Sequence, residues 1–491
     1  MARANPARSA YAATRHLLRN LHNSRELRRN PLVRAEFAGR TAGEALRAIA
    51  TRVDSALREV GSARQVAILL RVDTERHDAR SVAADLALSM RQFYRERRHA
   101  HAAFHAGYLA AARAPASVES DFPARLLSRA TSLADSGETA SARAILADVL
   151  ASGLDAATAC DALLRLATTE AWLHRFDEAR AHLDECSALL ARETFAPERR
   201  AALSDGANAT RLTLVMFAEG PGAALRSEHQ ALPDASATGD RTTLARALAA
   251  LRVGEAPLAG ELLHALARST RDALAPELEV DLLTARAEFA NFAFSNASLG
   301  EELFGRAALL AGAHGLRGRE LYARHQLSVA RWMRSRRPDD RREYRQLADA
   351  VDRSLPARLR SILALVAADV EVAIGRPERG LAAANTVASV STNRYESVSA
   401  RALAAAALLR MGRLEDAATE SALAREAARA EGHARVLSLA QRICAQAYFI
   451  AGNRRAARTA IEESIECARR FSSPYVQAQA QAIRGRIAGR S

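Results

Sequence analysis

The sequence predicts an all-α protein: a small basic helical domain at the N-terminal end, then a long array of repeated helix pairs. Three observations carry that expectation. Ala and Leu dominate the 491 residues, aromatic residues make up 5%, and runs of β-branched or aromatic residues at period two are almost absent. One pattern, a helix, a short turn and a helix opening with acids and Ala, recurs along most of the chain. The net charge of +14 is also uneven. Residues 1–113 hold 21 arginines against 10 acids, whereas residues 114–491 hold 49 against 46. A polyanion-binding domain joined to a nearly neutral body has this partition. All 70 basic residues are Arg, the better fork for phosphate and guanine edges.

Within residues 1–113, RSAYAATRHLLRNL (8–21) and EFAGRTAGEALRAIATRVDSALREV (36–60) read as helices with apolar faces. Pro31, between them, ends whatever precedes it. ARQVAILLRVD (63–73) reads as a further helix, and ARSVAAD (79–85) as a short one. The stretch VAADLALSMRQFYRERRHA (82–100) follows with apolar positions at Val82, Leu86, Leu88 and Phe93, spacing that suits two helices joined by a tight turn. Ser89 is placed to cap the second helix, which carries Arg91, Arg95, Arg97 and Arg98. The segment APASVESDFP (114–123), with two prolines and few long aliphatics, reads as a linker.

From residue 124 to 491 the chain repeats itself. SLADSGETASARAILADVL, EAWLHRFDEARAHLDEC, LLRMGRLEDAATESAL and YFIAGNRRAARTAIEES align a small residue at Ala142, Ala179, Ala417 and Ala457. Gly137, His174, Gly412 and Gly452 stand five positions earlier. Fainter copies fall at Ala223, Ala259, Gly300, near Arg341 and at Gly380. Seven positions before the turn, small residues recur at Ala130, Ala167, Ala247, Ala405 and Ala445. Four positions after the aligned small residue comes a larger apolar one, Leu146, Leu183, Leu263, Phe304 or Ile461, with Ser421 breaking the rule. Short side chains let two helices cross closely, which explains the spacing. PYVQAQAQAIRGRIAGRS (474–491) reads as a terminal cap.

This pattern resembles the tetratricopeptide repeat, over about residues 120–480. The resemblance implies an α-solenoid whose concave face binds a protein or peptide, or a scaffold that holds protomers together; both remain open. The stretch at 82–100 resembles the helix-turn-helix of sigma-factor region 4 and LuxR-type regulators, through Val82, Ala83, Leu86, Ala87, Leu88, Ser89 and Phe93. Two positions depart from that pattern. Ala87 stands where Gly is usual, so the turn must accept a Cβ at positive φ or take another shape. Glu96 stands where an apolar residue is usual. The resemblance implies that the helix from Ser89 enters the major groove of double-stranded DNA. Met90, Arg91, Tyr94, Arg95 and Arg98 then lie away from Leu88 and Phe93. Arg91 and Arg95 are expected to meet guanine, and Ser89, Tyr94 and Arg98 to hold phosphate.

Other chemistry finds no support. Cys160, Cys186, Cys444 and Cys467 form no CxxC pair and sit where small apolar residues belong, so buried free thiols are expected. His101 and His105 share a helix face without a third ligand beside them. There is no Walker A loop, GxSxG, HExxH or Rossmann fingerprint, so neither a catalytic centre nor a cofactor or metal is expected. Paired acids such as Asp177 and Glu178, or Asp339 and Asp340, suit helix starts. No apolar run of 18 residues and no signal-peptide pattern is present, so a reducing cytoplasm without membrane contact is expected. The expected function is a DNA-binding transcriptional regulator, a homodimer whose array binds a partner, peptide or sister subunit. The alternative is a tetratricopeptide-type interaction scaffold with no nucleic-acid role.

Overall fold

The computed structural model describes residues 6–21, 24–39, 42–60, 62–74, 78–112, 122–151, 155–227, 239–269, 274–293, 296–335, 357–470 and 474–489. Among the described residues every regular element is helical. The chain divides into two compact units, one of residues 1–133 and 140–165, the other of residues 134–139 and 166–491. Most of the linker stretch, residues 114–121, and the faint repeat near Arg341 with Asp339 and Asp340 lie outside the described residues.

The first unit opens with α1 (Pro6–Arg19), the single turn α2 (Ser24–Leu27) and a 3-10 turn at Arg34–Phe37. Then come α3 (Ala42–Arg58), α4 (Ala63–Ile68), α5 (Ala79–Asp85) and the long α6 (Met90–Ala111). The helix expected over residues 36–60 is interrupted, because the chain turns at Gly39 with φ +70° and only re-enters helix at Ala42. The helix expected over 63–73 also changes form: after Ile68 it widens into a π turn over Leu69–Thr74. Leu17 and Leu18 of α1, Ile49 and Ala56 of α3, and Phe104 and Tyr108 of α6 form one sealed core. Burying each large side chain contributes about 1.5–3 kcal/mol. At Gly107 of α6, a Cβ would stand 3.0 Å from the Glu59 side chain and 3.1 Å from the Ala56 backbone, so α3 and α6 meet with almost no room between them. The helix pair α7 (Phe122–Ser136) and α8 (Thr139–Ala151) follows.

The array continues with α9 (Ala156–Trp172), α10 (Phe176–Arg192), α11 (Pro197–Ala218), the short α12 (Pro221–Arg226), α13 (Asp240–Val253) and α14 (Ala256–Ser269). Next are α15 (Pro276–Ala293), α16 (Ala297–Ala313), α17 (Arg317–Ser335), α18 (Ala357–Ala373) and α19 (Pro377–Val390). The described array closes with α20 (Arg394–Arg410), α21 (Leu414–Ala430), α22 (Ala434–Ile450), α23 (Arg454–Arg470) and α24 (Pro474–Ile487). The pairs α13–α14, α15–α16, α18–α19, α20–α21 and α22–α23 pack helix on helix, and first helices of successive pairs touch one another, as α13 with α15 and α20 with α22. This is a tetratricopeptide-like α-solenoid, in which each pair buries its faces on its neighbours.

The repeat register is the one the small residues specify. Ala142, Ala179, Ala259, Ala417 and Ala457 are fully buried at the crossings, and Ala130, Ala167, Ala247, Ala405 and Ala445 face them at 1% exposure or less. Ala223 is half-buried and its neighbour Ala224 takes the sealed place, a shift of one residue in the shortened pair α11–α12. The aligned turn positions all take positive φ: Gly137 +94°, His174 +62°, Gly412 +77° and Gly452 +82°. Ser421 replaces the usual apolar follower at no loss of hydrogen bonding. Its hydroxyl donates to the Ala418 carbonyl at 3.1 Å and lies 3.0 Å from Cys444 Sγ. Cys160, Cys186 and Cys444 are buried and free, whereas Cys467 is only half-buried. In the terminal helix α24, Ala480, Ile483 and Ile487 cover the end of the stack.

Candidate functional site

The α5–α6 pair is built by capping at both starts. Asp78 precedes α5 in extended conformation, and its carboxylate accepts from the amides of Arg80 and Ser81 at 3.0 Å each. Val82 and Ala83 then turn inward and are sealed with Ile68, Val72 and Phe93. After Asp85 the chain reverses: the Ala87 amide donates to Ala84 at 3.0 Å and the Leu88 amide to Ala83 at 2.8 Å. Ala87 adopts φ +53°, the left-handed conformation its place in the turn requires despite its Cβ. Ser89 caps α6 through a reciprocal box. Its hydroxyl accepts from the Gln92 amide at 3.3 Å, and Gln92 Oε1 accepts from the Ser89 amide at 3.0 Å.

Four of the residues expected to meet DNA, Arg91, Tyr94, Arg95 and Arg98, are exposed together on α6, and Ser89 is exposed at its start. The Tyr94 ring is 48% exposed and meets Phe93 edge-on at 5.5 Å. Arg98 Nε donates to the Tyr94 carbonyl at 3.4 Å. Met90 departs from the expected outward face. It is half-buried and packs on the Val82–Phe93 cluster, because a residue three positions before Phe93 shares its side of the helix. Glu96, where an apolar residue was expected, accepts from Gln65 Nε2 of α4 at 2.7 Å, so a hydrogen bond replaces apolar packing there.

Arg97 has a different fate from its neighbours. Its side chain is 8% exposed, and its guanidinium grips Asp73, which is fully buried at the end of the π turn. Arg97 Nε donates to Asp73 Oδ2 at 3.0 Å, Nη2 pairs with Oδ1, and His101 Nε2 lies 2.9 Å from Oδ2. Burial penalises the charged Asp73 carboxyl, but His101 and Arg97 outweigh it and hold that carboxyl below its ordinary range. Arg15 and Arg19 of α1 each bring Nε to 3.7 Å from Asp73 Oδ1. The Tyr11 ring packs on His101 at 4.3 Å between centroids. His105 sits beside Thr14 instead, 3.3 Å from its hydroxyl, and burial pushes its imidazole below the usual value. His101 and His105 are thus committed to separate partners. Among the described residues no group of three metal-ligating side chains converges, and no helix is long and apolar enough to cross a membrane.

Sequence reasoning missed the Asp73 hub. Its only trace was an acidic residue at the end of an otherwise apolar run, and nothing in the spacing joins position 73 to 97.

The array carries a second polar assembly on its first helices. Arg252 of α13 donates to Glu288 of α15 at 2.9 Å, and the Tyr322 hydroxyl of α17 donates to the same carboxylate at 2.5 Å. The Arg252 guanidinium lies 5.1 Å over the Tyr395 ring of α20, and that ring stacks on His433 at 4.4 Å. Burial, reinforced by Arg252 and Arg435, depresses the His433 imidazole well below its ordinary value, so it is neutral. Next to it, Arg319 bridges Asp281 of α15 (2.8 and 2.9 Å) and Asp135 (2.7 Å) beneath the Trp172 ring. Helices α13, α15, α17 and α20, remote in sequence, are tied through these charged and aromatic side chains, with His433 just ahead of α22.

No family model matches the chain, and no curated protein matches it. Solved structures share its helical form at low identity. A Rap protein complexed with competence and sporulation factor is similar over 68% of this chain and 100% of its own, at 10% identity and a TM-score of 0.48. The apo form of the quorum sensor NprR from B. thuringiensis is similar over 74% and 97%, at 10% identity and 0.35. Yeast Tom70 is similar over 82% and 95%, at 14% identity and 0.32. None of these likenesses bears on what this chain binds.

Proposed function

We propose that this protein binds double-stranded DNA through the helix that starts at Ser89 and acts as a transcriptional regulator. Its solenoid is the part that binds a partner, a peptide or a sister subunit. One observation carries the reading: on a short-turn helix pair whose core is Val82, Ala83 and Phe93, the side chains of Arg91, Tyr94, Arg95 and Arg98 are exposed together. A capped helix start with arginines over its first turns suits the major groove, where a guanidinium fork reads guanine O6 and N7. In this reading Arg91 and Arg95 read bases, Tyr94 and Arg98 hold phosphate, and Ser89 fixes the helix start. The basic excess over residues 1–113 supplies the salt-dependent attraction.

The test uses the full chain and random duplex DNA over a range of salt, then a duplex selected from random sequence by the protein. R91A/R95A should lose about 1–3 kcal/mol per guanine contact on the selected duplex and much less on the random one. Equal losses on both would reduce the two arginines to phosphate contacts. A second reading, an interaction scaffold whose basic end docks an acidic protein, is favoured by the extent of the solenoid, which fills most of the described chain. Absence of duplex binding at low salt selects it.

A further inference from the structure

We propose that a second copy of this chain docks on the outward face of α16, the two α16 helices pairing antiparallel about a twofold axis. This inference rests on the reading of the solenoid as the part that binds a sister subunit, and names the surface.

Helix α16 has two unlike faces. Leu303, Phe304, Ala307 and Ala311 are sealed in one core with residues of α15 and α17. On the opposite side Leu299, Glu302, Arg306, Leu309 and Ala313 are exposed together. At about 100° per residue these fall within about 80° of one another. Leu309 is 77% exposed, the most open large apolar side chain among the described residues, and Leu299 is 41% exposed. A single exposed leucine is ordinary on a protein surface. This face differs in its spacing, which runs three, four, three and four residues. That repeat is how one helix presents a seam to another. Gly305 lies beside the seam with open space over its Cβ position, so no side chain there holds a second helix away.

The seam is also its own complement. In an isologous pair, residue i of one copy meets residue j of the other, and j meets i. An antiparallel register centred on Phe304 sets Leu299 against Leu309 of the second copy and Glu302 against Arg306 of the second copy. Each of these contacts occurs twice. Glu302 and Arg306 stand four apart on one helix, a spacing at which such residues commonly pair. The adjacent Glu301 does pair, with Arg331 at 3.2 Å, but neither Glu302 nor Arg306 forms an ion pair with a described residue. Their charges are left to reach across. Sliding one helix by four residues, about one turn, would bring Glu302 onto Glu302 or Arg306 onto Arg306, so like charges disfavour the neighbouring registers. One helix pair buries less surface than a standard interface, so the dimer is weak and concentration-dependent.

Sedimentation equilibrium of the full chain, from about 1 to about 300 µM, should show a monomer–dimer equilibrium. R306E sets Glu against Glu twice and should raise the dimer Kd by about tenfold or more. E302R sets Arg against Arg and should do the same. E302R/R306E restores opposite charges and should bring the Kd back to near its original value. Both positions are exposed, so melting curves of the dilute proteins should match the unsubstituted chain. A chain that stays monomeric at every concentration overturns the inference and leaves the peptide and other-partner readings of the solenoid standing. A dimer that the single exchanges leave unchanged also overturns it, and keeps the sister-subunit reading at another surface. Weakening by the single exchanges without recovery in the double one removes the twofold register and the proposal with it.

Discussion

The amide of Gly222 donates to the carbonyl oxygen of Glu431 at 3.1 Å, joining the start of α12 to the turn between α21 and α22. Two backbones meet there without side chains between them. A Cβ on Gly222 would fall 2.7 Å from that carbonyl oxygen, and Gly432 faces Gly222 from the other side. Related contacts tie α11 to α20 and α13 to α22, so the solenoid of the second unit returns on itself. The first helices of its pairs are brought together, and the Arg252–Glu288–Tyr322 assembly spans them.

Gly222→Ala should therefore loosen this closure. Forcing a methyl group against an immobile carbonyl costs about 1–3 kcal/mol. We expect a lower thermal midpoint and faster amide exchange in α12 and in the α21–α22 turn. Unchanged exchange there would show that the two backbones separate freely.

Glu431 makes the same closure depend on pH. Burial raises its carboxyl to about 7, with Arg394 opposing the shift. A carboxyl raised in the folded state favours the neutral form, so its contribution is full at low pH and fades as pH rises from about 4.5 to about 7. Denaturation across that window should show a falling stability, and Glu431→Gln should flatten the fall. An identical profile in both proteins would refute the assignment.

The Asp73 hub should behave in the opposite sense. Its carboxyl is held low, so its contribution is present above the ordinary carboxylate value of 3.8 and is lost as pH falls below it. Arg97→Ala leaves a buried carboxylate without its main partner and should cost about 3–5 kcal/mol. Chemical denaturation followed by a probe in the first unit measures this; a loss under about 1 kcal/mol, typical of exposed pairs, would contradict the burial.

The turn before α6 offers a gain. Ala87 sits at φ +53°, where an L side chain is strained, so Ala87→Gly should stabilise the first unit by up to about 1 kcal/mol. His174 is also left-handed, at φ +62°, but its ring packs at 6.0 Å from Phe176 and its Nε2 lies 3.5 Å from Glu396. His174→Gly should therefore gain less or lose stability. Parallel thermal melts of the two variants compare them directly.

The solenoid was legible because its code is local. A small residue at a helix crossing and a left-handed turn five residues earlier involve neighbours on the same pair, so Ala142 with Gly137, or Ala457 with Gly452, declare themselves in a linear string. The α5–α6 pair was legible for the same reason: Val82, Phe93 and the Ser89 cap act over a dozen positions. Met90 was misplaced because a position three residues before Phe93 lies at the edge of the face, where neighbouring packing decides.

Composition and spacing alone were enough to specify all-α structure, the repeat register and the arginines of α6, since each depends on contacts within a turn or two of helix. Spacing also set Arg98, and not Arg97, on the face away from Phe93, since position 97 follows Phe93 by four residues. It had no means of naming what Arg97 meets there: only the approach of the π turn brings Asp73 inward to pair with it. The Gly222–Glu431 contact is of the same kind. It joins segments remote along the chain, and its existence depends on small rotations accumulated over every intervening helix pair, a sum that only packing in three dimensions performs.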